Sequence, residues 1–543
     1  MKFRRVESSS RKMLNTLILM LRQLYIDWKA SLIGGFFVAC SAVLLACTNV
    51  SSSDKMVFRY NEPAGIPTLD PAFARDKSTI WAVQQLYEGL VMLNEENEVV
   101  PALAESWTID STGRSYTFLL REAQFHSGRK VTAKDVCYAL KRLKDPQVAS
   151  PGSWVLERVK RIEAHGERVL TITLDRPYSS LLSLLTMPYC SVVDTTQAEA
   201  GRLATHGGGS GPFKFHRWHF GEKLILHRNE DYWAKDSIGQ TLPYLDGISI
   251  SFLPDQQSAF LEYLSGNLEI VPNIDPSFKD DLLNLDGLLR SKYEGGHRLE
   301  RGPFLNTEYL VFNADMKLPK DLRWAIHAAI DREVMIKSLR SGIGIPAKGG
   351  IIPFGLKEHQ SNIGVDYQRD SAMSVISRYD TLPDLTLVTV SNYRDLCEFV
   401  QGALSDVGWD IEINVVPSAT LRSDKSAGNI GFFRASWIAD YPDAENYLML
   451  FFSGLKAPNG PNYSRYDNPL FDSLYQALSK STSEMERLSL AKKADMLLME
   501  DAACVPLYYD EVLRVLPNRV SGIKTNALNA LILTEVQLDI NLK

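Results

Sequence analysis

Apolar and polar positions change their period along this chain, and each change marks an element. "YTFLL" (Tyr116–Leu120) is a short aromatic and apolar run and predicts a strand; "HSGRK" (His126–Lys130) then predicts a turn. Thr132 follows with Asp135 three residues on, the spacing of a capping box, so a helix should open there. Further on, "LTLVTV" (Leu385–Val390) predicts a strand, "RDLCEFVQGALSDVG" an amphipathic helix stopped by Gly408, and "DIEINVV" (Asp410–Val416) a second strand. Strand, helix and strand with short joints imply a parallel pair. "DLRWAIHAAIDREVMIKSL" (Asp321–Leu339) predicts one more helix. The N-terminal half is richer in strands and hairpin turns. The fold class is therefore mixed α/β, and 543 residues exceed what one core usually holds, so more than one lobe is expected.

The first residues do not follow this grammar. Residues 1–30 are rich in basic side chains, and "SLIGGFFVACSAVLLAC" (Ser31–Cys47) then runs without a charge. That run is short for a membrane span and suits the apolar core of an export signal, with a short uncleaved anchor as the alternative. "LLAC" (Leu44–Cys47) resembles the lipobox of bacterial lipoproteins, in which the cysteine is acylated and becomes the first mature residue. Residues 1–46 would then be the signal peptide, with lipidation at Cys47. The basic leader is long, so translation could also begin at Met13 or Met20. Beyond it the chain is expected outside the cytoplasm, in the periplasm or cell envelope.

Composition narrows the function by exclusion. The chain is 45% hydrophobic and 23% charged with a formal net charge of −6, and no block of like charges offers nucleic acid a footing. Past the leader, Cys137, Cys190, Cys397 and Cys504 are widely and irregularly spaced, so disulfides are permitted but their pairing is unreadable. No C-x-x-C occurs, and the nine histidines are scattered, so no metal or cofactor is expected. H-E-x-x-H, G-x-S-x-G and Walker-type loops are missing as well. "SGRK" (Ser127–Lys130) fits S-x-x-K, but Gly128 and the late helix start favour a turn. "HGGGSGPFKF" (His206–Phe215) could cradle phosphate, but it leads into alternating, strand-like sequence and reads better as a strand-entry turn. Binding is favoured over catalysis, and the protein is not expected to be an enzyme.

Several stretches in order carry a resemblance. They are "PTLDPAFARD" (Pro67–Asp76), "LYEGLV" (Leu86–Val91), "VPALAESW" (Val100–Trp107), "YTFLLREAQFHSGRKVTAKDV" (Tyr116–Val136) and "GSGPFKF…LHRNEDYW" (Gly209–Trp233). "VFNA…DLRWAIHAAIDREVM" (Val311–Met335) and "WIADYPDAENY…YDNPLFDSLYQAL" (Trp437–Leu478) complete the set. Together, over about residues 55–543, they resemble the bacterial extracellular solute-binding proteins of family 5, the peptide-binding components of ABC importers. The resemblance implies a two-lobed periplasmic-binding-protein-like fold (type II, cluster C) with an extra domain on the N-terminal lobe. The first lobe would be built from 54–77, 205–300 and 513–543, the extra domain from 78–204, and the other lobe from 301–512. The implied function is a solute receptor that binds short peptides between its lobes and delivers them to a permease and its ATPase, as a monomer. A nickel complex, haem, an opine or an oligosaccharide are alternative cargoes on the same fold, and a sensing lipoprotein without a transport role is a further alternative.

The resemblance also suggests what "RASWIADYPDAENY" (Arg434–Tyr447) is for. In peptide binders of this family an aspartate in a W-x-x-D-Y context meets the ligand's ammonium, which here is Asp440. An arginine three residues before that tryptophan meets the ligand's carboxylate in some members, which here is Arg434; pairing with a neighbouring acid is its alternative. Trp437 would wall a side-chain pocket, and Tyr309 would lie on a cleft strand. Asp443 and Glu445 read as solvated turn residues. A calcium site from Asp440, Asp443 and Glu445 has the oxygens but lacks the usual loop pattern. Two cysteines that some members carry at the positions of Asn306 and Ile438 are absent, and "VPLYYDEV" (Val505–Val512) fits a last cleft strand.

Overall fold

The computed structural model describes residues 55–539, 541 and 542. Cys47 and the expected leader lie outside the described residues. Strand β1 (Val57–Asn61) opens the first sheet, and helix α1 (Lys77–Leu86), capped by Asp76, follows it. The meander β2 (Ala104–Ile109), β3 (Ser115–Leu120), β4 (Val159–His165) and β5 (Val169–Leu174) forms a separate antiparallel sheet in the order β2-β3-β5-β4. Its core holds Tyr116, Phe118, Leu170 and Ile172, with Val136 and Leu140 from helix α2 (Ala133–Leu143). That helix opens at Thr132 with both capping-box bonds in place, as the spacing predicts.

The chain then returns to the first sheet. Strands β6 (Phe213–His219), β7 (Lys223–Arg228) and β8 (Gly247–Ser251) complete it in the order β1-β8-β7-β6, with β8 parallel to β1. Phe58, Leu224 and Ile248 share its core with Leu516, Val520 and Leu531 from the chain's end. Burial of apolar surface thus ties three distant segments into one body. Trp81, Val83 and Leu86 of α1 lie in this same core, so the boundary expected at residue 78 falls inside a helix that packs with the first sheet.

Two long strands, β9 (His297–Phe312) and a last strand over Cys504–Pro517, run antiparallel from His297↔Pro517 to Val311↔Cys504. Helices α3 (Lys320–Ala329) and α4 (Arg332–Arg340) follow β9. The sequence predicts one helix here; the structure breaks it at Ile330, which is extended, because Asp331 caps the second helix by accepting from the Glu333 and Val334 amides. Next come β10 (Thr386–Thr389), helix α5 (Arg394–Ser405), β11 (Glu412–Val415) and β12 (Phe432–Ile438). Strands β10 and β11 are parallel, as the strand–helix–strand pattern implies. Helices α6 (Glu445–Leu448), α7 (Pro469–Lys480) and α8 (Glu484–Glu500) lead to the last strand, β13 (Cys504–Pro517). The sheet order is Ile345–Pro346, β13, β9, β12, β10, β11.

Strands β9 and β13 each serve two cores. Val515 and Leu516 pack with residues of the first lobe, whereas Leu305 and Tyr309, with Val505 and Leu507, pack in the cores of the second. The register between the two strands shifts between Pro303 and Thr307. The boundaries expected at 300/301 and 512/513 both fall inside these strands. Cys137, Cys190, Cys397 and Cys504 are free thiols.

Candidate functional site

Strand β12 has one paired edge and one largely free edge. Along its length it is antiparallel to β9, from Asn306↔Ile438 to Phe312↔Phe432. On its other side it meets β10 only at Phe432 and Phe433. The Ala439 N–H donates to the Leu305 carbonyl at 2.8 Å. Alternation along an antiparallel ladder then turns the N–H and C=O of Ser436 and Ile438 away from β9, toward the free edge.

Asp440 stands just past the end of that edge. Its backbone N–H donates to Asn446 Oδ1 at 3.2 Å, and the Trp437 indole donates to the same oxygen at 2.8 Å. Asn446 is fully buried on α6, so one amide fixes both the turn and the indole. The Asp440 side chain is exposed, yet surrounding protein raises its carboxyl above the usual carboxylate range, with Asn446 holding part of that rise back. Among the described residues no cation contributes to its environment. Tyr189, from the core of the β2-β3-β5-β4 sheet, is raised by burial and then by the Asp440 charge, and Trp154 lies 6.5 Å from Tyr441. The body built on the β2-β3-β5-β4 sheet, whose core holds Tyr189, therefore faces the Asp440 turn.

The other acids of the stretch are buried, which corrects the expectation that they are solvated. Asp443 accepts two bonds from Arg487 Nη2, at 2.8 and 2.6 Å. Glu445 accepts from Tyr441 and Tyr475, and from Tyr178, just past β5, at 3.3 Å. Burial, then the Asp443 charge, raises the Glu445 carboxyl. These oxygens are already taken by protein donors, and the three acids do not form a cation cage. Apart from Tyr441, four residues away, the partners come from positions 30 to 267 residues away, which no local pattern reveals.

Arg434 is also engaged. Its Nε and Nη2 both donate to the carboxylate of Glu308, and its guanidinium carbon lies 3.2 Å from the centre of the Tyr393 ring. Both members of the pair are buried. Burial pushes the Glu308 carboxyl up while Arg434 pulls it back, and the two parallel bonds are those of an ion pair. The expectation that Arg434 meets a ligand carboxylate is thus replaced, in this structure, by its alternative of a neighbouring acid. Glu308 was legible in principle: an acid inside the apolar strand "NTEYLVF" needs a partner. Tyr309 points the other way. It is 6% exposed and sits in the core with Leu305, Val311 and Phe433, so it does not line a cleft.

The first lobe holds a hollow of about 440 Å³ that the sequence reading missed. Glu62, Ile66, Lys77, Trp218, Phe220 and Phe252 line it. The Glu62 carboxylate is buried with Lys77 Nζ 3.2 Å away, and Trp218 and Phe220 stack at 4.5 Å. None of its walls comes from the second lobe, so it lies apart from β12. Four separate segments build it, which is why no single motif announced it. The two loops weighed for chemistry are structural. The Ser127 hydroxyl donates to Asp194 at 2.6 Å, and Gly211 gives its carbonyl to His126 and Asn229.

Comparison with known proteins decides what kind of molecule carries this site. The family model described as "Bacterial extracellular solute-binding proteins, family 5 Middle" matches residues 98–459. The chain belongs to that family. The dipeptide-binding protein DppE of Bacillus subtilis is 24% identical over 87% of this chain and 90% of its own length. The periplasmic oligopeptide-binding protein OppA of Escherichia coli is 26% identical over 87% and 90%. Among solved structures, the periplasmic binding protein DppA of Helicobacter pylori, in complex with the peptide STSA, superposes with a TM-score of 0.68 at 25% identity, covering 90% of this chain and all of that one. This family 5 protein therefore has the two-lobed fold expected from its sequence. Among the described residues no helix is long and apolar enough to cross a membrane.

Proposed function

We propose that this protein is the substrate-binding component of an ABC importer for short peptides. The observation that carries the reading is the free edge of β12, which ends at an exposed carboxylate without a counter-ion. An extended peptide is the ligand that uses both features. Its backbone adds as a strand to the open N–H and C=O groups of Ser436 and Ile438, which gives affinity independent of sequence. Its terminal ammonium then reaches Asp440. Trp437, held by Asn446, forms a wall for a side chain.

In this reading 54–77, 205–300 and 513–543 form the first lobe, 78–204 the extra domain and 301–512 the second lobe, except that α1 packs with the first lobe and the boundaries at 300/301 and 512/513 lie within continuous strands. Strands β9 and β13 are the hinge on which the lobes close over cargo. Cys47 carries the lipid that keeps the receptor near its permease. The names of the relatives support peptides, but a probable deoxycholate-binding protein of Escherichia coli is 25% identical over 87% of this chain. Cargo is therefore argued from the site and not from the fold. Purified protein denatured to release its cargo should yield short peptides by mass spectrometry. A bile acid, metal chelate, opine or sugar released in their place contradicts the proposal.

A further inference from the structure

Residues 432, 434, 436 and 438 of β12 share one face of the second sheet. At one end Phe432 lies in the core that α4 and α5 help to build; at the other Ile438 is 54% exposed. Arg434 stands at the border between covered and open. Strand β9 brings Glu308 to the same face, opposite Ser436, and Glu308 closes on the Arg434 fork. A second acid–base pair adjoins it. Arg340 Nη2 donates to Asp510 Oδ1 at 2.6 Å and Nη1 to the Tyr508 hydroxyl at 2.9 Å. Asn306 Nδ2 donates to Asp510 Oδ2 at 3.0 Å. Two cations face two anions, so this patch keeps no net positive charge for an incoming carboxylate.

A chain laid on the free edge with its amine at Asp440 runs antiparallel to β12, from Ile438 toward Arg434. The four steps from Ile438 to Arg434 span roughly 13 Å, the length of about three to four extended residues. The carboxylate of a tripeptide or tetrapeptide therefore ends beside Arg434. We propose that Glu308 holds Arg434 in place of a ligand carboxylate, so that the cargo is a peptide whose free C-terminus goes unrecognised and whose chain continues past Arg434. This rests on the peptide reading above and adds the cargo's length class. A ligand carboxylate that displaced Glu308 would leave a buried acid unpaired, and exchanging one carboxylate for the other brings no net affinity.

The test is calorimetry with one tripeptide as free acid and as C-terminal amide, and with a hexapeptide that begins with the same three residues. The wild type should bind acid and amide within about twofold of each other and the hexapeptide about tenfold more tightly or better. Glu308→Gln frees the guanidinium, and the acid should then be favoured by about tenfold or more. In Glu308→Gln with Arg434→Gln the preference should vanish. Hexapeptide binding by the wild type with no measurable tripeptide binding also supports the inference. A wild type that favours the acid tenfold overturns it, even if Glu308→Gln fails to fold, and so does a folded Glu308→Gln without acid preference. Those results leave the peptide reading standing. A wild type that binds none of the three peptides overturns both.

Discussion

Two carboxyl groups show what burial does when the partner differs. Asp440 is exposed and desolvated without a cation, which suits a group that waits for one. Asp495, on α8, is fully buried. Its Oδ1 accepts the Ile351 N–H at 2.8 Å, its Oδ2 has no partner, and burial pushes its pKa up to about 7. The sign follows from proton counts. Between an unfolded value of about 4 and the folded value, the native state keeps a proton that the unfolded state has released, so stability falls as pH rises through that window. Asp495→Asn keeps the acceptor and removes the titration. Urea unfolding should therefore show the variant gaining on the wild type by on the order of 2–4 kcal/mol between pH 4 and pH 8. A constant difference across that range would mean that Asp495 is ionised in the folded protein.

At the scale of elements, the glycine run before β6 gives the sharpest contrast between motif and structure. A Cβ on Gly209 would stand 2.0 Å from the Leu86 carbonyl oxygen, at the end of α1. Close approach of two backbones, and not a phosphate, requires the glycine. Gly209→Ala should lower unfolding stability by about 2–4 kcal/mol, read from the denaturant midpoint. Unchanged stability with altered ligand binding would restore the cradle reading. Much of the local structure was legible: the capping box at Thr132, the β3 strand and the parallel β10–β11 pair all rest on nearest-neighbour chemistry. The break between α3 and α4 was not, because the apolar period continues through Asp331 without glycine or proline. Nor were the partners of Asp443 and Glu445, since Arg487, Tyr475 and Tyr178 meet them only through tertiary packing. Asp440 and Trp437 were named from a family pattern. The structure adds the free strand edge that gives them a physical reason.

At the scale of the whole molecule, segments far apart in the chain share the core of the first sheet, and β9 and β13 contribute to cores on both sides, as does the segment after β13, with Ile523 and Leu531 in one and Ala527 in another. Two strands with a register shift between Pro303 and Thr307 resist stretching and yield to bending. Saturation with a binding peptide should shorten the radius of gyration measured by small-angle X-ray scattering. An unchanged radius under demonstrated binding would place capture within one lobe. The central claim is narrower: the cargo is a peptide held by its amine at Asp440. Calorimetry on the wild type and Asp440→Ala, each with a free and an N-acetylated peptide of one sequence, tests it as a closed cycle. Breaking a buried pair costs roughly 3–5 kcal/mol, or about 10²–10³-fold or more in affinity. Either change alone should produce such a loss, and the two together should lose little more than one, because each removes one half of the same pair. Equal binding of free and acetylated peptide by the wild type, or losses that simply add, would contradict the account.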